Sequence, residues 1–123
     1  MTTTPNLLAG TAYVTIDGRS YALVGELAYR PSQTNNETLV GMDGVHGFKG
    51  TPAAGMIKGT FRDSGAVSVQ TLAEATDVTV VAELANGKTI VGRNLWRAGE
   101  PIDVDTEDAK FTIQWEGADV REA

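Results

Sequence analysis

The sequence predicts a mainly β domain with two packed antiparallel sheets, a β-sandwich or partly closed barrel, with one short flanking helix and a long protruding loop. Three observations carry this. Apolar and polar residues alternate along most of the chain, tight-turn dipeptides punctuate the alternation, and one segment alone has helical spacing.

The elements follow in order. Ala12, Val14 and Ile16 alternate with Tyr13 and Thr15, and Asp17-Gly18 supplies a hairpin turn whose central residues need positive φ. The return strand carries Tyr21, Leu23, Leu27 and Tyr29 on one face, is interrupted at Gly25 and ends at Pro31. Met56 to Arg62 forms the next strand. Val69, Leu72, Ala73 and Thr76 fall at i, i+3, i+4 and i+7, so Val69–Thr76 reads as a helix of about two turns that Ser68 caps. So short a helix must pack on a sheet to persist. Val78, Val80, Ala82 and Leu84 alternate up to Asn86-Gly87, and Lys88 to Leu95 returns. Asn-Gly between alternating strands is the strongest short hairpin signal a sequence offers. Ile102 and Val104 come next. A turn at Asp105 to Asp108 follows, with Phe111, Ile113 and Trp115 in the last strand and Gly117 to Ala123 as a charged tail. The sum is about seven strands and one helix.

Residues 32–55 break the pattern. Ser32 to Asn36 is polar, and Gly41, Gly44, Gly47 and Gly50 then recur every third residue, a period that suits neither face of a strand. The segment reads as a flexible arm or extended hairpin outside the core. Leu39, Val40, Met42, Val45 and Phe48 are poorly placed on a solvated loop, so with His46 they point to a partner surface.

The chain has 123 residues, which suits one domain, 1–123, and is too short for two. No apolar run is long enough to cross a bilayer. Met1-Thr2-Thr3-Thr4-Pro5 lacks a basic start and apolar stretch, so no signal peptide or membrane anchor is expected, and folding in a cytoplasm is. The absence of cysteine excludes disulfides, thiolate catalysis and thiolate metal sites. The net charge of −6 is unevenly placed. Residues 1–60 hold four bases and four acids, whereas residues 61–123 hold six bases and twelve acids. Such a chain lacks the basic surface that grips phosphate backbones.

The chemistry-bearing residues do not assemble into a motif. His46 has Asp43 and Glu37 nearby in sequence, but no activated nucleophile or third group, and a surface or interface histidine is the simpler reading. Asp103, Asp105, Glu107 and Asp108 resemble the start of a calcium loop. The sixth position from Asp103 must then be glycine and the twelfth glutamate, and these are Asp108 and Gln114. A solvated acidic turn is the simpler reading. Trp96 and Trp115 read as core or interface. No enzymatic activity, cofactor or metal is expected.

Several collinear segments then carry a resemblance. Gly10 to Gly18, Glu37 to Phe48, Asp77 to Lys88, Asn94-Leu95-Trp96 and Phe111 to Gly117 together resemble the Mu-like tail tube proteins of contractile-tailed phages and prophages. The resemblance spans roughly residues 9–118 and implies a structural subunit with two packed sheets and a flanking helix, similar in fold to type VI secretion tube proteins. It implies stacked, hexameric rings that form a channel for DNA passage during ejection, each subunit's long loop reaching a neighbour. The implied partners are other copies of the chain, the tail sheath, baseplate or initiator and the tape measure protein, with double-stranded DNA passing unbound. The implied location is the virion tail, with host cytoplasm during assembly. On this reading Leu39, Val40, Met42, Val45, His46 and Phe48 form the inter-subunit arm, and Asp103, Asp105, Glu107 and Asp108 face the channel or the outer wall. The rival from another class is a monomeric β-sandwich binding module for carbohydrate or peptide.

Overall fold

The computed structural model describes residues 10, 12–65 and 68–123; Met1–Pro5, read above for a leader, and Thr11 of the first motif lie outside the described residues. The strands are β1 (Tyr13–Ile16), β2 (Arg19–Tyr21), β3 (Leu23–Arg30), β4 (Gln33–Gly41), β5 (Gly44–Ala53), β6 (Gly55–Arg62), β7 (Val78–Glu83), β8 (Thr89–Ala98), β9 (Val104–Asp105), β10 (Lys110–Gly117) and β11 (Asp119–Glu122), with helix α1 (Val69–Ala73) between β6 and β7. The described residues thus form eleven strands against about seven expected, because the return strand divides into β2 and β3, the arm is itself the two strands β4 and β5, and the tail supplies β11.

Pairing is antiparallel throughout, and nine strands are hydrogen-bonded along the path β2-β1-β7-β8-β10-β6-β3, with β11 beside β8 and β9 beside β10. The path is folded over on itself at β8. One end of β8 pairs with β7 and β11, and the other end, Trp96–Ala98, pairs with β10. The two halves face each other as packed sheets, and the path ends on β2 and β3 without closing into a barrel.

The bend has a local cause. Gln114↔Ala98, Glu116↔Trp96, Asp119↔Arg93 and Glu122↔Ile90 keep a single register, so β10 and β11 are one strand bent alongside β8. Asn94 takes φ 54° at that level. Buried Leu95 is wedged where a Cβ on Gly92 or on Gly117 would stand 2.5 Å from its methyls. Residues 119–122 are therefore a core strand, correcting the charged-tail reading. Asp119 and Arg121 alternate with Val120, and Val120 is 1% exposed. A single apolar residue among charges is too weak a period to read as a strand.

The return strand is also divided. Tyr21 closes β2 on the β1 side, whereas β3 crosses to pair with β6 in the facing sheet. The register with β6 shifts on both sides of Gly25, and Glu26 there takes φ 57°, the mark of a bulge. Tyr21, Leu23, Leu27 and Tyr29 do share the core side, half-buried against it.

The core joins both sheets: Val14, Ile16, Val78, Val80, Ala82 and Ile90 from one half meet Ile57, Phe61, Phe111, Ile113 and Trp115 from the other. Phe61 is its hub, with ring centroids 6.0 Å from both Phe111 and Trp115 and 6.3 Å from Tyr21. The Asp17-Gly18 turn forms with φ of 50° and 81°, and Asp17 Oδ1 also accepts the Thr79 amide at 2.8 Å, tying the turn to β7. Helix α1 starts as expected, the Ser68 hydroxyl accepting from the Thr71 amide, and it buries Leu72. It stops at Ala73 rather than Thr76, and Arg97 takes up carbonyls at its end, Nε donating to Ala73 at 2.8 Å and the amide to Ala75.

Candidate functional site

Residues 33–53 form a regular two-stranded hairpin, β4–β5, turning at Met42-Asp43. Of the two forms expected for the arm, the structure adopts the extended hairpin. It is the outward continuation of the β3–β6 pair. Tyr29↔Ile57 and Arg30↔Met56 at the base keep the register of Gln33↔Ala53 and Thr34↔Pro52 beyond it. The chain therefore leaves the core along a ladder already fixed by packing.

The base is locked by the C-terminal strand. Between β3 and β4 the Ser32 amide donates to the Val120 carbonyl at 2.8 Å, and the Ser32 hydroxyl donates to the Ala118 carbonyl at 2.7 Å while accepting the Val120 amide at 2.9 Å. Gly55 across the base has Val120 in the place its own Cβ would fill. These contacts substitute for the ladder bonds the chain gives up where the arm departs.

Beyond the base the hairpin is exposed on both faces. Leu39, Val40, Met42, Val45 and Phe48 are large apolar residues open to solvent, with Phe48 68% exposed. Directly opposed residues share a face. Thr38↔Phe48 and Val40↔Val45 thus bring Val40, Val45 and Phe48 together on one side. Leu39 lies on the other. The register slips by one between Leu39 and Val40, leaving His46 as the extra residue.

His46 Nε2 stands 2.6 Å from Asp43 Oδ1, and the hydrogen bond from His46 is the main cause holding the Asp43 carboxyl below its ordinary value, with Asp43's own backbone amide second. Of the two acids considered for His46, the structure selects Asp43; Glu37 faces Lys49 across the strands at 4.0 Å. Among the described residues, no three histidine or acidic side chains gather as a metal cage.

Asp103, Asp105, Glu107 and Asp108 are brought onto one exposed turn between β9 and β10 and its approach. Asp105 Oδ1 accepts the amides of Glu107 at 3.0 Å and Asp108 at 3.3 Å, which makes Asp105 a turn-former. Asp103 and Asp105 also edge a cleft of about 560 Å³ whose lining includes Thr60 and Thr112, hydrogen-bonded to each other at 2.8 Å, with Glu26 opposite.

Sequence reasoning missed part of this surface. Ser32 gave no signal beyond its polarity, since its partners lie some ninety residues away. Val24, for which the alternation offered no reading, is exposed, as is Tyr13 on the face opposite Val14 and Ile16. Trp115 is fully buried, whereas Trp96 is 45% exposed. Their places in the alternation around Leu95 and Ile113 would have separated them.

Comparison with known proteins agrees with this architecture. Residues 6–122 match the family described as phage tail tube protein. The chain is also 25% identical over 96 residues to the tail tube protein of Escherichia phage Mu, covering 78% of this chain and 80% of that one. A family match over nearly the whole chain, on a two-sheet β fold with a long projecting hairpin, establishes that the chain belongs to the phage tail tube protein family.

Proposed function

We propose that this structural protein polymerises into stacked, hexameric rings around a channel for DNA, and that the β4–β5 hairpin makes the contact that links each copy to its neighbour. The observation that carries the reading is the hairpin itself. It is a projection whose large side chains Val40, Met42, Val45 and Phe48 lie uncovered among the described residues. A solvated monomer gains nothing from that arrangement, whereas a second copy that covers it gains the burial of several apolar side chains at once. Among the described residues, the strands at the two ends of the sheet path, β2 and β3, each leave one side unpaired and offer it to a neighbouring copy.

The acidic turn fits the same reading. Asp103, Asp105, Glu107 and Asp108 face the channel, where like charge keeps a polyanion from adhering to the wall during ejection. Sheath, baseplate or initiator and tape measure proteins are the partners this role implies, in the virion tail after assembly in the host cytoplasm.

Negative-stain electron microscopy of the concentrated protein tests the reading. Rings or hollow tubes are expected. A particle that stays monomeric at every concentration, with baseplate components present as well, would overturn it and favour the binding-module alternative.

A further inference from the structure

We propose that the His46–Asp43 pair is a positioning clip that holds the hairpin tip in the one register that places Val40, Val45 and Phe48 on a common face. The inference deepens the assembly role given to the hairpin and rests on it.

The argument starts from Gly41. A Cβ on this residue would collide with the His46 ring, coming within 2.6 Å of Nε2 and closer still to Cε1, and would stand 3.2 Å from Asp43 Oδ1. The imidazole therefore lies directly over the Gly41 backbone, and Asp43 holds it there through the 2.6 Å hydrogen bond. The three residues form a closed unit around the Met42-Asp43 turn.

His46 is also the residue that the register passes over. Before it, Val45 opposes Val40; after it, Gly47 opposes Leu39 and Phe48 opposes Thr38. Side chains on a strand alternate between faces, so a slip of one residue moves the whole set to the other side. Without the extra residue, Val45 and Phe48 would point to opposite faces, being separated by an odd number of positions. With His46 bulged out and folded back over Gly41, both join Val40. Gly44 and Gly47, which flank the bulge, take φ of 133° and 146°, values that side chains resist. Three of the four glycines whose spacing matched no strand period, Gly41, Gly44 and Gly47, thus belong to this folded tip.

An exposed two-stranded hairpin has little packing to specify its register. The tip is beyond reach of the core, so a local device must do it. His46 and Asp43 are both solvent-exposed, which keeps the clip's contribution to whole-domain stability small. The charged groups nearest on the same two strands are Glu37 and Lys49, which pair with each other four rungs from the turn and leave Asp43 to His46.

Three variants separate the clip from its neighbours. Gly41→Ala evicts the imidazole while keeping both His46 and Asp43; His46→Ala removes it; Asp43→Asn retains an acceptor oxygen. NMR of the monomer reads the clip directly, through contacts of the His46 ring with the Gly41 α-protons and through Val40–Val45 cross-strand contacts. Both are expected in the parent protein and in Asp43→Asn. Gly41→Ala and His46→Ala lose the Val40–Val45 contact and need about tenfold more protein to assemble, the equivalent of one decade in affinity, with unchanged melting temperature. A parent protein without ring contacts at Gly41, or a Gly41→Ala protein that keeps the Val40–Val45 contact, would overturn the clip whatever happens in assembly. Loss of the contact with normal assembly would retain the clip as a local fold and remove its role in assembly.

Discussion

Phe48→Ser separates the two tasks the chain performs, folding and assembling. Phe48 is 68% exposed, with Thr38 opposite it on the ladder. Aromatic side chains bury about 150–250 Å² when covered, so roughly 100–170 Å² of Phe48 remains for a partner. At about 25 cal/mol per Å² complete coverage is worth about 2.5–4 kcal/mol, and half coverage about 1–2 kcal/mol. A tenfold change accompanies every 1.4 kcal/mol or so, so Phe48→Ser raises the protein concentration needed for assembly by about 5- to 30-fold at half coverage. In the monomer the same change is an exposed substitution, worth about 0.5 kcal/mol or less, and shifts the melting temperature by under about 3 °C. Light scattering against concentration and a thermal melt on the same sample read both quantities. Deleting residues 34–50 should give the extreme case, a folded monomer that builds no tubes. Loss of stability in step with loss of assembly would place Phe48 in the monomer's own core and refute the reasoning.

Val120→Ala is expected to cost about 1.5–3 kcal/mol in urea denaturation, because Val120 is buried and fills the space above Gly55. Val120→Asp should be worse, about 3 kcal/mol or more, since it sets an unpartnered carboxylate in the core. An unchanged urea midpoint for both would return residues 117–123 to the status of a tail. The Lys88–Glu122 pair, 2.5 Å apart at the joined ends of β8 and β11, makes stability depend on pH at both extremes. Hydrogen bonding and then charge from Lys88 hold Glu122 below 4.5, so its contribution is present above 4.5 and lost as pH falls through the lowered folded value. The same two effects from Glu122 hold Lys88 above 10.5, so that contribution is present below 10.5 and lost as pH rises through the raised value. Glu122→Gln should therefore flatten the acid limb of a urea-midpoint profile at low salt and change little at high salt, where exposed pairs are screened. An acid limb identical to the parent's would remove the pair from the pH dependence.

The sequence by itself determined the local structure wherever a strand's pattern is set by its own burial. Val78, Val80 and Ala82, and Phe111, Ile113 and Trp115, alternate because one side of each strand meets the core, and all six are buried. Positive φ was legible at Asp17-Gly18 and at Gly87 of the Asn86-Gly87 turn, since few residues accept that backbone. The helix start was written in Ser68. The arm was legible as an exception to the period-two pattern, and Leu39, Val40, Met42, Val45 and Phe48 on it are exposed.

What only the tertiary structure decided are the features that a side chain's own burial pattern does not report. The arm's base is locked by the Ser32 hydroxyl and amide on the backbone groups of Ala118 and Val120, partners that nothing in the local pattern pairs with Ser32. The bend that divides β10 from β11 depends on Leu95 fitting between Gly92 and Gly117, a steric relation between β8 and the end of β10. The shared face of Val40, Val45 and Phe48 depends on one residue's slip in register. Periodicity reports whether a side chain is buried; it does not report which strand lies beside it, because every antiparallel neighbour satisfies the same backbone donors and acceptors.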